Sequence, residues 1–259
     1  MIAEVAARLR AAGCVFAEDE ARVLISAARG AAELEEMVQR RVDGLPLEQV
    51  VGFAEFCGLR VQVDPWVFVP RRRSEFLVWQ AVGVTPRRGI AVDLCCGSGA
   101  LGLALAASVE LGELHLTDVD PAAVRCASRN VAAAGAGVGA RVYLGDLYEP
   151  LPASLRGRVD VLLANVPYVP TDEVPLLPAE ARLHEAEVAL DGGADGLDVL
   201  RRAADGASEW LVPGGHLLIE TSERQAAGAE AAFASAGLRP QVVSSEELGA
   251  TVVMGASPA

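Results

Sequence analysis

The sequence contains no lysine, so arginine supplies all 22 of its basic residues, against 35 acidic ones. The formal net charge of the 259-residue chain is −13. Proteins that bind DNA or RNA usually present a basic face, because nucleic acid is a polyanion. The charge therefore argues against nucleic acid as a partner, although a local basic patch is compatible with an acidic body.

Metal-binding and disulfide patterns are also missing. No two cysteines form a Cys-x-x-Cys pair and their number is odd, so neither a zinc site nor a disulfide framework is indicated. The histidines are scattered, without a partnered acid or nucleophile beside them. We therefore expect no metal and a reducing compartment. The cysteines are Cys14, Cys57, Cys95, Cys96 and Cys126, and the histidines are His115, His184 and His216.

Long apolar runs are absent as well. No stretch approaches the roughly 18 apolar residues that a membrane-spanning helix needs, and the N-terminal segment lacks the basic-then-apolar layout of a signal peptide. Hydrophobic residues make up 52% of the chain and charged residues 22%, as in folded globular proteins. We expect a cytoplasmic protein that does not associate with membranes.

The chain length predicts one large domain, or a medium domain with a small appendage. Apolar residues recur at helical spacing between residues 1 and 43, which predicts a small helical N-terminal domain. Apolar and polar residues alternate over residues 53–56 and 59–63, on either side of Cys57-Gly58, as in a β-hairpin. Residues 44–75, which contain this hairpin, are predicted to connect the helical domain to the next. Residues 76–259 are predicted to form the main domain.

Strand-like and helix-like stretches alternate from about Gly89 onward. Such alternation predicts an α/β fold, with a mostly parallel sheet covered by helices on both faces. The last two strands follow one another without a helix, so we expect a closing antiparallel hairpin.

A glycine-rich turn follows the first strand of this domain. Gly97 and Gly99 have no Cβ, so a ligand can approach the backbone closely. Together with Gly102 they match GxGxxG, the sequence pattern of dinucleotide-binding proteins. Asp118 lies at the distance along the chain at which those proteins carry a ribose-binding acid. Taken alone, the motif does not choose between NAD and S-adenosylmethionine.

Acidic residues mark the ends of three successive strands: Asp93, Asp118 and Asp146. Carboxylates repel a pyrophosphate. S-adenosylmethionine instead carries an ammonium, a ribose diol and an adenine amine, all of which can donate hydrogen bonds to carboxylates. We therefore predict S-adenosylmethionine as the cofactor. Its predicted contacts are Asp93, Cys95, Cys96, Gly97, Ser98, Gly99, Asp118, Asp146 and Leu147, with the two cysteines as small residues of a tight turn.

The fourth strand is followed by Asn165-Val166-Pro167-Tyr168. This tetrapeptide resembles the Asn/Asp/Ser-x-Pro-aromatic motif of methyltransferases that modify a planar amine or amide nitrogen. By that resemblance, the Asn165 side-chain oxygen and the next backbone carbonyl accept hydrogen bonds from the substrate NH₂, and an aromatic ring packs on the flat group. These four residues are the predicted catalytic residues, and Asn165 is also a predicted cofactor contact.

Four longer stretches resemble the HemK/PrmC family of protein-glutamine N5-methyltransferases, over about residues 40 to 225. They are LPLEQVVGFAEFCGLRVQVDPWVFVPRRRSE, VDLCCGSGALGLALA, YLGDLYEPL and ALDGGADGLDVLRRAADGASEWLVPGGHLLIETSERQ. The resemblance implies a Rossmann-like class I S-adenosylmethionine methyltransferase fold, with seven strands of which the last is antiparallel. It also implies methyl transfer from S-adenosyl-L-methionine to the side-chain amide of a glutamine in a protein substrate, either release-factor-like or ribosomal.

The sequence departs from the family pattern at several places. Val166 replaces the first proline of Asn-Pro-Pro-Tyr, and Cys95 replaces the first glycine of the glycine turn. The usual Pro-Arg-Pro-Glu-Thr-Glu is Pro-Arg-Arg-Arg-Ser-Glu at residues 70–75, and the helical N-terminal part is short. These features indicate a PrmC-related branch. Two other functions stay open at this point: an N6-adenine methyltransferase acting on nucleic acid, and a cofactor-binding protein that has lost catalysis.

Overall fold

The computed structural model describes residues 1–135 and 139–258. The chain begins with a helical unit that has its own apolar core, in which Leu9, Leu24 and Val38 are almost completely buried. Val50 belongs to the same core, so the last helix of the unit lies beyond residue 43. We still propose a small N-terminal helical domain. Its helices are α1 (Ile2–Ala11), α2 (Ala17–Ala27), α3 (Ala31–Val42) and α4 (Leu47–Val51).

An antiparallel hairpin follows, formed by β1 (Phe53–Phe56) and β2 (Leu59–Gln62). Its turn residues, Cys57 and Gly58, both have positive φ, at 48° and 75°, as tight hairpin turns require. Phe56 and Val61 point into the core of the main domain. The hairpin predicted from the alternation is confirmed.

The main domain is built on a seven-stranded sheet with the order β5-β4-β3-β6-β7-β9-β8. Neighbouring strands from β5 to β7 run parallel, whereas β9 is antiparallel to both β7 and β8. The predicted Rossmann-like sheet with an antiparallel last strand is confirmed. The strands are β3 (Ile90–Leu94), β4 (Glu113–Asp118), β5 (Gly139–Leu144), β6 (Val159–Ala164), β7 (Leu211–Thr221), β8 (Arg239–Ser245) and β9 (Ala250–Ala256).

Helices cover both faces of the sheet, because the strands carry buried apolar side chains on each side. One core contains Leu77, Ala104 and Leu116, and the other contains Leu200 and Phe233. The helices of this domain are α5 (Glu75–Val84), α6 (Ala100–Ser108), α7 (Pro121–Ala134), α8 (Ala179–His184), α9 (Asp198–Trp210) and α10 (Ala226–Ser235).

The chain leaves β3 toward β4 and β5 on one side, then returns to β6 on the other side of β3. Ligands of such sheets bind at this reversal, outside the carboxyl ends of the strands. Among the described residues, no helix is both long and apolar enough to cross a membrane.

Candidate active site

A cavity lies at the carboxyl ends of β3, β4 and β6. Cys95, Asp118 and Asn165 line it from the sheet, and Trp66 and Phe68 face them from the segment after the hairpin. The predicted cofactor contacts that line this cavity are Cys95, Cys96, Gly97, Ser98, Asp118, Asp146, Leu147 and Asn165. Asp93 and Gly99 are not among the lining residues, and the cofactor contacts of all ten stay a prediction.

The glycine turn adopts the backbone conformation that its residues predict. Gly99 has a φ of 81°, and a Cβ there would lie 3.0 Å from the Leu116 side chain. Its role is therefore to let α6 pack against β4. Cys95 also has a positive φ, 53°, which costs a non-glycine residue about 1 kcal/mol. This explains why glycine is usual at that position of the family pattern.

Asp93 lies beneath the turn and is fully buried. Its Oδ2 accepts the Gly102 N–H at 2.8 Å, while Oδ1 has no partner in the described part of the chain. Burial raises the pKa of this carboxyl well above its usual range. The contacts present show Asp93 supporting the start of α6 from below.

Asp118 joins the glycine turn to the end of β4. Its Oδ2 accepts the Gly97 N–H at 2.8 Å, and its Oδ1 accepts the Asp120 N–H at 2.9 Å. Burial raises the pKa of Asp118, although these N–H donors oppose the shift. Each oxygen retains a lone pair for a second donor, so this carboxylate can hold the turn and a ribose diol together.

Asp146 is paired with an arginine that the sequence reasoning missed. Arg202 of α9 reaches its Oδ2 at 2.5 Å, and both side chains line the cavity. Leu147 beside it has a φ of 46°, so the backbone bends sharply at this edge.

A second cavity adjoins the first. Its walls include Arg71, Arg73 and Tyr168, and the residues common to both cavities are Phe68, Asn165 and Ala189. A group entering through the second cavity therefore meets a ligand of the first beside Asn165.

The orientation of Asn165 is set by a buried serine. Its Nδ2 donates to Ser74 Oγ at 3.2 Å, and its Oδ1 has no hydrogen-bond partner in residues 1–135 and 139–258. Val166 is 1% exposed and packs into the core below, and its N–H is unpaired within the same residues. The tetrapeptide thus presents a free side-chain acceptor at the junction of the two cavities.

The backbone of the tetrapeptide rests on the glycine-rich loop before α9. A Cβ on Gly192 would lie 2.7 Å from the Pro167 carbonyl oxygen, and one on Gly196 would lie 2.2 Å from the Tyr168 carbonyl oxygen. Gln225 then donates from Nε2 to the carbonyls of Tyr168 and Asp195, at 2.9 Å each. These contacts give a structural reason for the ALDGGADGLD…Q stretch.

The sequence profile of the family "Methyltransferase small domain" matches residues 73–202, about half of the chain. Two curated relatives named "Release factor glutamine methyltransferase" come from Geobacter sulfurreducens and Bradyrhizobium diazoefficiens. The first is 37% identical over 190 residues, an alignment that covers 73% of this chain and 65% of the relative's length. The second is 34% identical over 257 residues, covering 90% and 85%.

The chain belongs to the release factor glutamine methyltransferase family. The HemK/PrmC resemblance is therefore confirmed, although the match to the Geobacter protein spans slightly less than two thirds of that relative's length. A methyltransferase crystal structure from Pyrococcus furiosus has the same fold, with a TM-score of 0.58, 16% sequence identity, and coverage of 78% of this chain and 90% of that one.

S-adenosyl-L-methionine, the methyl donor of this family, suits the first cavity. The glycine turn leaves room for close backbone approach, and Asp118 and Asp146 offer carboxylate acceptors at neighbouring strand ends. No phosphate-binding cation lies at the turn among the described lining residues, since Arg202 is held by Asp146. These carboxylate acceptors therefore favour a cationic nucleoside over a dinucleotide.

Proposed function

We propose that this protein transfers a methyl group from S-adenosyl-L-methionine to the side-chain amide nitrogen of a glutamine in a release factor. The observation that carries the proposal is Asn165, which lies where the two cavities meet, with its Nδ2 held by Ser74 and its Oδ1 free. The relatives' name supplies the class of protein substrate.

An amide nitrogen is a poor nucleophile because its lone pair is delocalised into the carbonyl. Hydrogen bonds from its NH₂ to Asn165 Oδ1 and to the Val166 carbonyl would fix the plane of the amide, and the Tyr168 ring would pack on it. The bound sulfonium supplies an activated methyl group. The C–S bond breaks as the N–C bond forms, and the sulfur keeps the electron pair.

Among the residues that the structure describes, the two cavities share Phe68, Asn165 and Ala189 and therefore no titratable side chain. A general base at the reacting nitrogen is therefore not part of the proposal. The alkylated amide nitrogen is strongly acidic and loses its proton to solvent after transfer. Positioning supplies most of the acceleration.

The proposal places the protein in the cytoplasm, where release factors act on ribosomes. The net charge of −13 disfavours direct recognition of ribosomal RNA or DNA. The experiment described next therefore includes nucleic acid as the alternative methyl acceptor.

The test supplies the purified protein with methyl-labelled S-adenosylmethionine and either an unmethylated release factor or total RNA. We expect label in the release factor, and mass spectrometry should locate one added methyl group on a glutamine. Asn165→Ala should reduce the rate on the order of a hundredfold, as a misplaced nucleophile does, and should weaken cofactor binding far less. Label in RNA alone, or a fully active Asn165→Ala variant, would contradict the proposal.

A further inference from the structure

The hydroxyl of Tyr168 is held by two charged side chains that come from distant parts of the sequence. Arg73 donates from Nη2 to this hydroxyl and from Nε to Glu220 Oε1, the latter at 3.0 Å. The Tyr168 hydroxyl in turn donates to the same Oε1 at 3.4 Å. The three side chains therefore form a closed set of contacts beside the second cavity.

Burial of Glu220 ties Arg73 to this arrangement, because a buried carboxylate needs a cation beside it. Its side chain is 2% exposed at the end of β7, next to the strand that leads into Asn165. Its Oε2 has no partner in the described residues, so Arg73 is the cation that compensates its charge. A buried carboxylate without such a partner is strongly unfavourable.

Tyr168 is consequently held both at its backbone and at its side-chain hydroxyl. Gln225 binds its backbone carbonyl, and Arg73 with Glu220 binds its hydroxyl. An aromatic ring that packs on a substrate amide needs the restraint at its hydroxyl, because rotation about χ1 would otherwise swing the ring away.

Arg73 is also one of the positions at which this chain departs from its family. The usual pattern has glutamate there, and a carboxylate at residue 73 would face Glu220 with like charge. Its neighbour Arg71 has a different partner, Glu185, at 2.6 Å. Arg72 is exposed and makes no ion pair within residues 1–135 and 139–258.

We propose that Arg73, acting together with the buried Glu220, is a positioning residue that holds the Tyr168 ring in the orientation in which it packs on the substrate amide. This inference rests on the proposed function for its catalytic consequence. The contact between Arg73 and the hydroxyl can be tested without any methyl transfer.

The kinetic test compares Arg73→Leu with Arg72→Leu, which makes the same change of charge and size one residue away. We expect Arg73→Leu to lower kcat for release-factor methylation at least tenfold, with KM and cofactor affinity within about threefold, and Arg72→Leu to stay within about twofold. In a Tyr168→Phe background, which lacks the hydroxyl, Arg73→Leu should lower kcat less than twofold further. An equal loss in both backgrounds, or a loss confined to KM, would overturn the proposal.

The spectroscopic test measures the titration of Tyr168 by NMR of ¹³C-labelled tyrosine, which is practical because the sequence has only three tyrosines. Burial is the main cause of the raised pKa of Tyr168, Glu220 raises it further, and Arg73 opposes the shift. Arg73→Leu should therefore raise this pKa and Glu220→Gln should lower it, with Arg72→Leu unchanged. Arg73→Gln replaces Arg73→Leu if the latter does not fold.

These two tests separate the proposals. Absence of methyl transfer by the wild-type protein together with the expected tyrosine shifts would refute the proposed function and retain the contact. Unchanged tyrosine titration in a folded Arg73 variant would refute the positioning role, whatever the substrate is.

Discussion

Asp118 combines an observed structural contact with a predicted binding role in the same carboxylate. It holds the Gly97 N–H at the glycine turn and is expected to accept the ribose hydroxyls. The negative charge of the carboxylate makes each such hydrogen bond worth about 1.5 to 3 kcal/mol. Asp118→Asn keeps the shape of the side chain but removes this charge. We expect at least tenfold weaker binding of S-adenosylhomocysteine by calorimetry in a folded variant, and no change in the exposed control Asp172→Asn. Wild-type affinity in Asp118→Asn would reject the ribose assignment.

The raised pKa of Asp118 adds a pH dependence to the same measurement. Burial favours the protonated form. The protonated carboxyl lacks the negative charge that strengthens its hydrogen bonds to the ribose hydroxyls. Cofactor affinity should therefore fall on acidification at a higher pH than an ordinary aspartate would give, and the Asp118→Asn variant should lack this step. The same step in the variant would assign it to another group.

A substitution at Val166 tests whether the tetrapeptide has the geometry that is usual in the family. Its N–H is unpaired among the described residues, so the missing N–H of proline removes no contact, and proline is the usual residue at this position of the family pattern. Val166→Pro should keep cofactor affinity within about twofold and activity within about tenfold. Val166→Ala is the control; it should be active but less stable by about 2 kcal/mol, since two buried methyl groups are lost. An inactive Val166→Pro beside an active Val166→Ala would show that this branch has rebuilt the loop.

The residues that sequence reasoning placed in the site are those that lie at or just after the end of a strand. The glycine turn and Asn165 to Tyr168 each follow a strand directly, so periodicity alone puts them at the same sheet edge. Arg73, Glu220 and Gln225 were not anticipated as partners of Tyr168. Their pairing depends on how the segment before α5 folds over β7, and no local pattern encodes that.

At the scale of elements, the loop before α9 supports the predicted catalytic tetrapeptide through glycine contacts. Gly196 has a φ of 74°, and a Cβ there would strike the Tyr168 carbonyl and the Gln225 side chain. Gly214 has a similar φ of 79° with nothing within 4 Å of the same Cβ position. Both alanine variants should lose about 1 kcal/mol of stability from the backbone conformation. Only Gly196→Ala should also lose at least tenfold in methyl transfer, and equal activity in both variants would contradict the supporting role of this loop.

Among the helices that were not predicted from the sequence, α5 and α8 were missed for different reasons. α5 is buried through Phe76, Leu77, Val78 and Ala81, so its apolar residues show no helical stripe. α8 has six residues, too few to establish a period. Its position depends on tertiary contacts, since Gln49 of α4 donates to the His184 carbonyl at 2.9 Å.

At the scale of the whole molecule, Arg41 ties the helical unit to the wall of the second cavity. It is 6% exposed and binds Glu20 at 2.6 Å and Glu180 of α8 at 2.7 Å. Arg41→Met leaves Glu20, whose side chain is only 12% exposed, without its cation, so urea unfolding should show a loss of about 3 kcal/mol. The exposed pair of Arg22 and Asp19 provides the control, and Arg22→Met should change stability by less than about 1 kcal/mol. Equal stability of the two variants would mean that Arg41 is not a structural link.

The position of β9 bears on how the chain folds during synthesis. β9 lies between β7 and β8, yet both neighbours emerge from the ribosome before it. Until β9 is complete, the apolar strand β7 has an unpaired edge and β8 has no strand to join, and such edges are templates for aggregation. The sheet that carries Glu220 therefore closes only after β9 has been translated, so a nascent chain stalled after β8 would be prone to aggregate.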